Sequence, residues 1–365
     1  MDESCDSDHR GAALAGIILT RLHIVLLESG DTPGHCGVGD YTRKLAEALS
    51  RASLRVSLLR AEQPLADLRR QVAHLQADGL SIQYPTRAYG WSLKPHLLAY
   101  TAPCPVYITL HEYAQAHPLR RLSLQFLARS KRAGFVFTSV AERSAFLSDG
   151  ASQDCVYRKA IPIASNIPFA AGATTREANT VVHFGLLRPN RGLEAFLELV
   201  AIARRKNRNY RFRLIGAVPG SGFAYAQDRV AEAQALGVDV QLELNAGAVA
   251  DLLAKSQFGY MPFPQGADVR RGSLLALLGN GVCTLTGTSV DSTPDLMSVV
   301  ESVSGPEQAL ERLERLSGNA AACEGLSRGA SVYAQQFRWD DIASRYLGLF
   351  HEKVRTEDNS AGLIN

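Results

Sequence analysis

Short apolar runs alternate with longer amphipathic segments along the first half of the chain. Apolar runs bounded by turn residues favour strands, and segments with an apolar residue every three or four positions favour helices. Strands are expected at 22–27, 56–59, 80–84, 106–110 and 135–138, and helices at 41–51, 65–77, 119–130 and 141–147. This alternation predicts a parallel, doubly wound α/β domain.

A second alternating series begins after a segment rich in Pro, Gly, Ala and Thr. That segment, at 161–180, has little periodicity and is typical of an interdomain linker. Strands are then expected at 181–187, 211–215, 240–244, 258–263 and 282–285, and helices at 192–205, 224–236, 248–254, 272–278, 306–316 and 331–350. The chain therefore divides into a loose tail at 1–20, a domain at 21–168, a second domain at 169–335 and a final helix with a tail at 336–365.

The residues that follow the strands are candidates for ligand binding, because ligands of doubly wound sheets bind beyond the carboxyl ends of the strands. His111 and Glu112 follow one strand, and the glycine-rich stretch Gly37-Val38-Gly39 follows the first. The glycine spacing is not that of a dinucleotide fingerprint. A structural histidine and a plain tight turn remain the alternative interpretations of these two features.

The twenty residues at 262–281 contain the largest group of candidate ligand-binding residues. Pro264-Gln265-Gly266 end a strand, and Asp268, Arg270 and Arg271 then precede an apolar helix that opens at Gly272-Ser273. Two guanidiniums beside a helix N-terminus would bind a diphosphate, since the free N–H groups and the helix dipole already favour an anion. The alternative is a solvated rim on an ordinary loop.

Composition narrows the class of protein. The 365 residues are 46% hydrophobic and 21% charged, which is typical of a soluble globular protein of two domains. A net charge of +3 gives no case for nucleic-acid binding. The six cysteines are scattered without metal-ligand spacing, and the acidic start of the chain is unlike a signal peptide. We expect a cytoplasmic protein without a metal site.

Five segments, in this order, resemble the retaining GT-B glycosyltransferases (glycosyltransferase family 4-like, group 1), which build polysaccharides, glycolipids and antibiotic sugars. The segments are CGVGDYTRKLAEAL, ITLHEY, FGLLRPNRGLEAFL, PFPQGADVRRGSLLALLGNG and SVYAQQFRWDDIASRYLGLF. The resemblance covers nearly the whole chain. It implies two Rossmann-like domains that face a cleft, with the last helix returning to the N-terminal domain and a hinge at 165–180.

The resemblance can be carried over residue by residue. Arg191 stands where the family has a diphosphate-binding lysine, and Leu186 replaces an arginine. The paired glutamates of the family correspond to Asp268, which would bind the donor sugar, and to Ala276, which cannot hold a ribose. His111 corresponds to the histidine that faces the sugar near the reacting carbon. The resemblance thus implies catalytic residues His111 and Asp268, donor-binding residues Gly185, Arg188, Arg191, Arg270, Arg271, Gly272 and Ser273, and an acceptor or phosphate loop with Gly37, Val38, Gly39 and Glu112.

The function implied is transfer of a sugar from a nucleotide-sugar donor to an acceptor, with retention of anomeric configuration and without a metal or other cofactor. Arginines and helix N–H groups can neutralise the leaving diphosphate, and a carboxylate suits the oxocarbenium-like transition state. The alternatives are a sugar-nucleotide-binding pseudoenzyme, because of Leu186 and Ala276, and a GT-B sugar-nucleotide epimerase. The acceptor is expected to be a sugar, a lipid-linked sugar or a small molecule.

A peripheral membrane contact is a further expectation. Arg120, Arg121, Arg129, Lys131 and Arg132 flank the apolar stretch 122–127. In relatives such a helix faces an anionic membrane that carries a lipid-linked acceptor. A solvated helix beside the acceptor site is the alternative.

Overall fold

The computed structural model describes residues 22–30, 37–86, 88–90, 92–130, 132–150, 158–170, 174–218 and 223–361, with side chains described as far as Glu352. The tail at 1–20, Lys131 and residues 171–173 of the expected linker lie outside the described residues. The chain divides into two compact units, Met1–Pro162 together with Trp339–Asn365, and Ile163–Arg338.

The first unit is built on a parallel sheet of six strands in the order β2-β1-β3-β4-β5-β6. The central strands are buried along their length, as strands covered by helices on both faces must be. The strands are β1 (His23–Glu28), β2 (Arg55–Arg60), β3 (Gly79–Tyr84), β4 (Val106–Leu110), β5 (Ala133–Phe137) and β6 (Arg158–Ala160).

Helices connect these strands, and the last helix of the chain joins them. They are α1 (Gly37–Arg51), α2 (Leu65–His74), α3 (Lys94–Thr101), α4 (Pro118–Leu127) and α5 (Val140–Ser148), with α13 (Trp339–Ala361) from the C-terminus. The Tyr346 hydroxyl of α13 lies 2.9 Å from Thr109 Oγ1 on β4, and the Phe350 ring lies 4.8 Å from that of Tyr107. Because Tyr346 and Phe350 are fully buried, α13 is part of the core of this unit.

The second unit has its own parallel sheet of six strands, in the order β12-β11-β10-β7-β8-β9. Its strands are β7 (Glu177–Leu186), β8 (Arg211–Ala217), β9 (Asp239–Leu242), β10 (Ser256–Met261), β11 (Cys283–Thr286) and β12 (Glu301–Ser302). Its helices are α6 (Leu193–Arg205), α7 (Phe223–Ala235), α8 (Ala246–Lys255), α9 (Gly272–Gly279), α10 (Pro294–Met297), α11 (Pro306–Ser317) and α12 (Ala320–Ala334). The predicted α/β class, with two doubly wound parallel sheets, is confirmed.

Helix α9 is deeply buried: each residue from Leu274 to Gly279 is buried. Asn280 ends the helix and binds the segment that enters the second unit. Its amide accepts a hydrogen bond from the Ala170 N–H (2.9 Å) and donates to the Pro168 carbonyl (3.2 Å). Gly279 lies so close to the Phe169 ring that a Cβ there would be 2.0 Å from it. The end of α9 is therefore fixed rigidly.

Two predicted elements differ from the structure. Helix α1 begins at Gly37 rather than at Tyr41, so Gly37, Val38 and Gly39 form its first turn instead of a loop. Glycine disfavours the interior of a helix but is tolerated at its N-terminal end. The single helix predicted at 331–350 is wrong: α12 ends at Ala334, a 3₁₀ turn covers Gln335–Phe337, and the extended backbone of Arg338 (ψ 146°) separates it from α13.

No helix within the described ranges is long and apolar enough to span a membrane.

Candidate functional site

Each sheet has one point at which the strand order reverses, and ligands of open α/β sheets bind there. In the second unit this point lies between β7 and β10. The residues that follow β7 include Arg188 and Arg191, and those that follow β10 lead into α9. The topology therefore brings both segments that the sequence singled out in this unit to one edge of the sheet.

Two glycines allow these segments to approach closely. Gly192 has φ +86°, and a Cβ there would lie 2.2 Å from the Pro262 carbonyl oxygen. Gly185, near the end of β7, lies beside Ser273, whose Oγ would be 3.9 Å from an added Cβ. The turn after β7 thus packs against the end of β10 and against the first turn of α9.

The N-terminus of α9 is open. The first backbone hydrogen bond of the helix runs from the Leu275 N–H to the Arg271 carbonyl (3.0 Å), so the N–H groups of Gly272, Ser273 and Leu274 have no partner within the helix. Apart from the adjacent residues and the backbone of the helix itself, no atom of the described residues lies within 4 Å of the position that a Gly272 Cβ would take. Free N–H groups, the helix dipole and open space together form a site that favours an anion.

Asp268 is the centre of the charged loop before α9, and its side chain is only 6% exposed. Its Oδ1 accepts from the Arg270 backbone N–H (2.7 Å), and its Oδ2 accepts from the Arg270 guanidinium (3.2 Å). The Arg271 Nε lies 3.5 Å from the same Oδ2. Asp268 therefore organises both arginines, which the sequence did not predict.

A second carboxylate joins this cluster from the loop after β11. Asp291 Oδ2 accepts from the Arg270 guanidinium at 3.0 Å. With Asp268, Asp291, Arg270 and Arg271 all ionised, the net charge of the cluster is zero. Arg271 is held further by the Gln265 amide oxygen (3.3 Å) and by the Phe263 ring, whose centroid is 5.2 Å away.

The remaining predicted donor residues differ in exposure. Arg188 is exposed and Arg191 is partly buried. Leu186, at the position where the resemblance implies an arginine, is 40% exposed. Ala276 is fully buried within α9, so this position offers a methyl group to the protein core and nothing to a ligand.

In the first unit, His111 lies directly after β4 and is 9% exposed. Its backbone N–H donates to the Tyr84 carbonyl (2.9 Å), which ties the ends of β4 and β3 together. Its Nε2 lies 2.9 Å from Gln83 Oε1, and its ring meets Tyr41 edge to face at 5.1 Å. Burial lowers the pKa of His111 to about 4, so the imidazole is neutral at pH 7.

The other predicted residues of this unit lie on α1 and after His111. Gly37 is exposed, Val38 is partly buried and Gly39 is buried in the first turn of α1. The Val38 carbonyl accepts a hydrogen bond from Thr42 Oγ1 (2.7 Å). Glu112 is exposed. Among the described residues, no group of three or more His, Cys, Asp or Glu side chains is arranged to hold a metal ion.

Two residues of the site were missed from sequence. Gln83 is a buried amide inside the strand sequence Ser81-Ile82-Gln83-Tyr84. A polar side chain on the inward face of a buried strand needs a partner, and that signal could have found it. Asp291 lies in an ordinary polar loop, and nothing in its sequence context indicates that it pairs with Arg270.

Comparison with known proteins identifies the fold. No protein-family model matches the chain, and no curated protein matches it by sequence. Solved structures do match: sucrose-phosphate synthase from Thermosynechococcus elongatus aligns at a TM-score of 0.71 and 15% identity, over 92% of this chain and 100% of that one.

Two further neighbours are similar over the same extent. HepE from Anabaena, solved in complex with UDP and glucose, aligns at a TM-score of 0.67 and 14% identity, over 91% of this chain and 100% of its own. WaaG, a glycosyltransferase involved in lipopolysaccharide biosynthesis, aligns at 0.61 and 12% identity, over 90% of this chain and 99% of its own. The chain therefore has the GT-B fold.

Proposed function

We propose that this protein is a glycosyltransferase that moves a sugar from a nucleotide-sugar donor to an acceptor. The open N-terminus of α9, beside the turn after β7, is the observation that carries the proposal. A nucleoside diphosphate fits this place because its charge is met by free N–H groups and by Arg191 and Arg271. Structural neighbours include HepE in complexes with UDP and with UDP-glucose, which supports the same class of donor here.

Retention of anomeric configuration is the stereochemical course that we propose. An inverting transfer requires a general base to activate the acceptor, and an effective base has a pKa near the working pH. His111, with its pKa lowered to about 4 by burial, is a weak base at pH 7. In the proposed reaction the C1–O bond to the diphosphate breaks and the nucleoside diphosphate leaves with the electron pair, while the acceptor hydroxyl bonds to C1 and transfers its proton to the leaving diphosphate oxygen.

The protein's positive groups supply the electrostatic stabilisation in this proposal. The leaving diphosphate gains charge as the C1–O bond breaks, and preorganised donors at the N-terminus of α9 stabilise that charge without reorganisation. We therefore propose that the transfer needs no metal ion or other cofactor. Asp268, once its arginines engage the diphosphate, would be left to accept from a sugar hydroxyl.

The test begins with donor binding. Thermal shift measurements with UDP, GDP, ADP and TDP and their common sugar conjugates should reveal one preferred nucleotide, because a ligand at a hundred times its Kd adds about 2.7 kcal/mol to the free energy of unfolding. Release of the nucleoside diphosphate from the preferred donor, with and without candidate acceptors, then measures turnover. If none of these nucleotides stabilises the protein, the proposal is wrong.

Three variants separate the roles within the site. Arg191→Ala should weaken binding of the nucleoside diphosphate about ten- to hundredfold, since a charge-assisted hydrogen bond contributes about 1.5–3 kcal/mol. Asp268→Ala and His111→Ala should lower turnover and change diphosphate affinity much less. Arg205→Ala, an exposed arginine at the end of α6, is the control. Equal, mild effects of the three site variants would place the donor elsewhere.

A sugar-nucleotide-binding protein without transferase activity is the second candidate. Ala276 is fully buried, and Asp268 already accepts hydrogen bonds from Arg270 and lies 3.5 Å from Arg271 Nε, which favours a weakened or inactive site. Such a protein would bind the donor without releasing the nucleoside diphosphate. An epimerase, by contrast, would interconvert donors without that release.

We also propose a peripheral membrane contact through α3 and α4. Six large apolar side chains on these helices or at the N-cap of α3 are between 47% and 65% exposed: Leu93, Leu97, Tyr100, Leu119, Leu122 and Phe126. The helices are neighbours, because the Tyr100 hydroxyl donates to the Phe126 carbonyl (3.4 Å). Residues 92–132 include six Lys or Arg and one Glu, which complements an anionic lipid surface.

Three of the arginines predicted for this contact form hydrogen bonds within the protein. Arg120 donates to the Gly90 carbonyl (2.8 Å), and Arg132 donates to the Ala102 carbonyl (3.1 Å). Arg121 forms two hydrogen bonds with Asp149, at 2.7 and 2.6 Å, whereas Arg129 is exposed beside the Phe126 ring. Sedimentation with anionic vesicles should show salt-sensitive binding that Leu122→Ser and Phe126→Ser abolish. Val332→Ser, an equally exposed apolar residue of the second unit, should leave binding unchanged. Absence of binding at low salt would favour a soluble acceptor.

A further inference from the structure

A buried polar network lies on one face of the first sheet. Strands β3 and β4 are paired so that Gln83 lies opposite Thr109, and alternate residues of a strand share a face. Ser81 and Gln83 of β3 therefore lie on the same face as Thr109 of β4, with His111 two residues further on. All four side chains are buried, so those of their polar atoms that are enclosed by the protein need partners.

His111 carries one proton at neutral pH, and the network determines which nitrogen holds it. Nε2 lies 2.9 Å from the Gln83 amide oxygen. Nδ1 has no hydrogen-bond partner in the described part of the chain and is open to solvent. If the proton were on Nδ1, the lone pair of Nε2 would face the Gln83 oxygen, and two buried acceptors would meet with no proton between them. The proton therefore belongs on Nε2, where an acceptor is present.

The orientation of the Gln83 amide agrees with this assignment. Its nitrogen donates to Ser81 Oγ at 3.2 Å, which leaves its oxygen for the histidine. Burial raises the pKa of Tyr346, and a contact with Gln83 partly opposes that rise. An amide N–H directed at the tyrosine oxygen has that effect, because it stabilises the phenolate.

We infer that Gln83 is a positioning residue that holds the proton of His111 on Nε2, so that Nδ1 meets the substrate as a hydrogen-bond acceptor for a hydroxyl group. This inference rests on the proposed function for the identity of the ligand as a sugar. A phosphate oxygen has no proton to donate at this position, whereas each sugar hydroxyl has one. His111 is thereby assigned to the sugar and not to the diphosphate.

Residues of the C-terminal helix α13 contact the same network. Tyr346 of α13 contacts Gln83 and Thr109. Trp339, at the start of the same helix, lies 5.1 Å from the Tyr41 ring, which in turn lies 5.1 Å from the His111 ring. Because Tyr41 packs against the imidazole and Trp339 packs against Tyr41, the imidazole cannot rotate away from Gln83 without displacing Tyr41.

Nuclear magnetic resonance of the full chain with ¹⁵N-labelled histidine tests the proton position directly. The chain has nine histidines, and loss of one signal in His111→Asn assigns the resonances. We expect a protected Nε2–H signal and an unprotonated Nδ1 for His111. Detection of the proton on Nδ1 in the unmodified protein would overturn the inference.

Three variants of Gln83 distinguish positioning from a structural role. Gln83→Glu keeps an acceptor of the same shape and should keep the Nε2–H signal. Its carboxylate should raise the pKa of His111; the other titratable groups nearby are Tyr41, which contacts His111, and Tyr346, which contacts residue 83. Gln83→Leu and Gln83→Met keep the bulk without the acceptor, so the signal should shift and exchange faster. An unchanged signal in a folded Leu or Met variant would contradict the assignment.

The kinetic readout tests the substrate part separately. With the donor identified by the binding screen, Gln83→Leu should lower kcat about tenfold, the effect of roughly one hydrogen bond, and leave nucleoside diphosphate affinity unchanged. Gln83→Glu should retain most of the turnover. Normal turnover of Gln83→Leu would overturn the substrate role, whereas absence of donor binding by the unmodified protein counts only against the proposed function.

Discussion

Asp268 shows how one residue can organise charges of the opposite sign. Its carboxylate holds Arg270 through the backbone and the guanidinium and lies 3.5 Å from Arg271 Nε. Asp291 then balances the second positive charge. The two arginines are therefore oriented beside α9, but their charge is already compensated before any diphosphate arrives.

Removal of Asp291 should increase affinity for the nucleoside diphosphate. Asp291→Asn leaves the cluster with a net charge of +1 and keeps a hydrogen-bond acceptor for Arg270. We expect a several-fold lower Kd at low ionic strength, because a partly exposed charge pair contributes up to about 1 kcal/mol, and a smaller gain at high salt. Isothermal titration calorimetry measures the change. Asp295→Asn is the control, and an unchanged or raised Kd for Asp291→Asn would contradict the expectation.

His183 should make the stability of the protein depend on pH. It is buried on β7, its Nδ1 lies 3.0 Å from the Tyr260 carbonyl, and burial lowers its pKa from 6.5 to about 4. Between pH 6.5 and 4 the unfolded chain binds the proton and the folded chain does not. Stability is therefore fully present above about pH 6.5 and falls as the pH decreases, by about 1.4 kcal/mol per pH unit for each such histidine.

Urea unfolding at a series of pH values measures this effect. His183→Gln should flatten the decrease between pH 6.5 and 4, and His111→Gln should do so through the same mechanism, because burial lowers the pKa of His111 also. His74→Gln replaces an exposed histidine of α2 and serves as the control. A decrease of equal steepness in all three variants would show that other groups cause it.

At the scale of the elements, the loop between β10 and α9 is shaped by contacts with the loop after β11. The Ala267 N–H donates to the Gly287 carbonyl (2.9 Å), and Ser289 Oγ donates to the Ala267 carbonyl (3.3 Å). Gly266 has φ +76°, and a Cβ there would lie 2.3 Å from the Thr288 carbonyl oxygen. Two loops from neighbouring strands thus form one folded unit in front of α9.

Gly266→Ala should lower the stability of the protein, whereas Gly272→Ala should weaken binding of the nucleoside diphosphate. Gly266→Ala should destabilise the protein by at least about 2 kcal/mol, since it combines a left-handed backbone with a clash against a carbonyl. Gly272→Ala should change stability by less than about 0.5 kcal/mol, but its Cβ would occupy the open space before the free N–H groups. Thermal unfolding and titration with the nucleoside diphosphate measure the two effects. Normal diphosphate affinity of Gly272→Ala would show that the anion binds elsewhere.

At the scale of the whole molecule, the chain returns to its first unit after completing the second. Ile342, Tyr346, Leu349 and Phe350 of α13 are each at most 1% exposed. Burying four such side chains contributes roughly 6–12 kcal/mol, which is comparable with the stability of an entire domain, about 5–15 kcal/mol. The first unit therefore depends on the last helix.

Truncation after Arg338 should unfold the first unit and leave the second intact. The second unit, Ile163–Arg338, has apolar clusters composed only of its own residues. A fragment of residues 163–338 should unfold cooperatively on heating. A chain of residues 1–338 should lose the protected amides of β3 and β4 in hydrogen exchange. Native protection of these strands without α13 would contradict the dependence.

The sequence by itself determined the order of strands and helices for most of the chain. Apolar runs such as that at 106–110 coincide with the observed β4, because a strand buried on both faces must be apolar throughout. The helix at 94–101 was missed because its outward residues Leu97 and Tyr100 are apolar, so it lacks the polar face that marks an amphipathic helix. The break at Arg338 was missed, although the five-residue step between the apolar Phe337 and Ile342 departs from the three- or four-residue spacing of a helix.

Only the tertiary structure decided which site residues interact. The sequence indicated Asp268, Arg270 and Arg271 together, since they are neighbours along the chain. It did not indicate that Asp291 would neutralise Arg270, that Gln83 of β3 would contact His111, or that Tyr346 of α13 would contact Gln83. These partners are separated from the residues they contact by 21 positions for Asp291 and 28 positions for Gln83. Local periodicity records which face a residue occupies, whereas the strand order determines which distant faces meet.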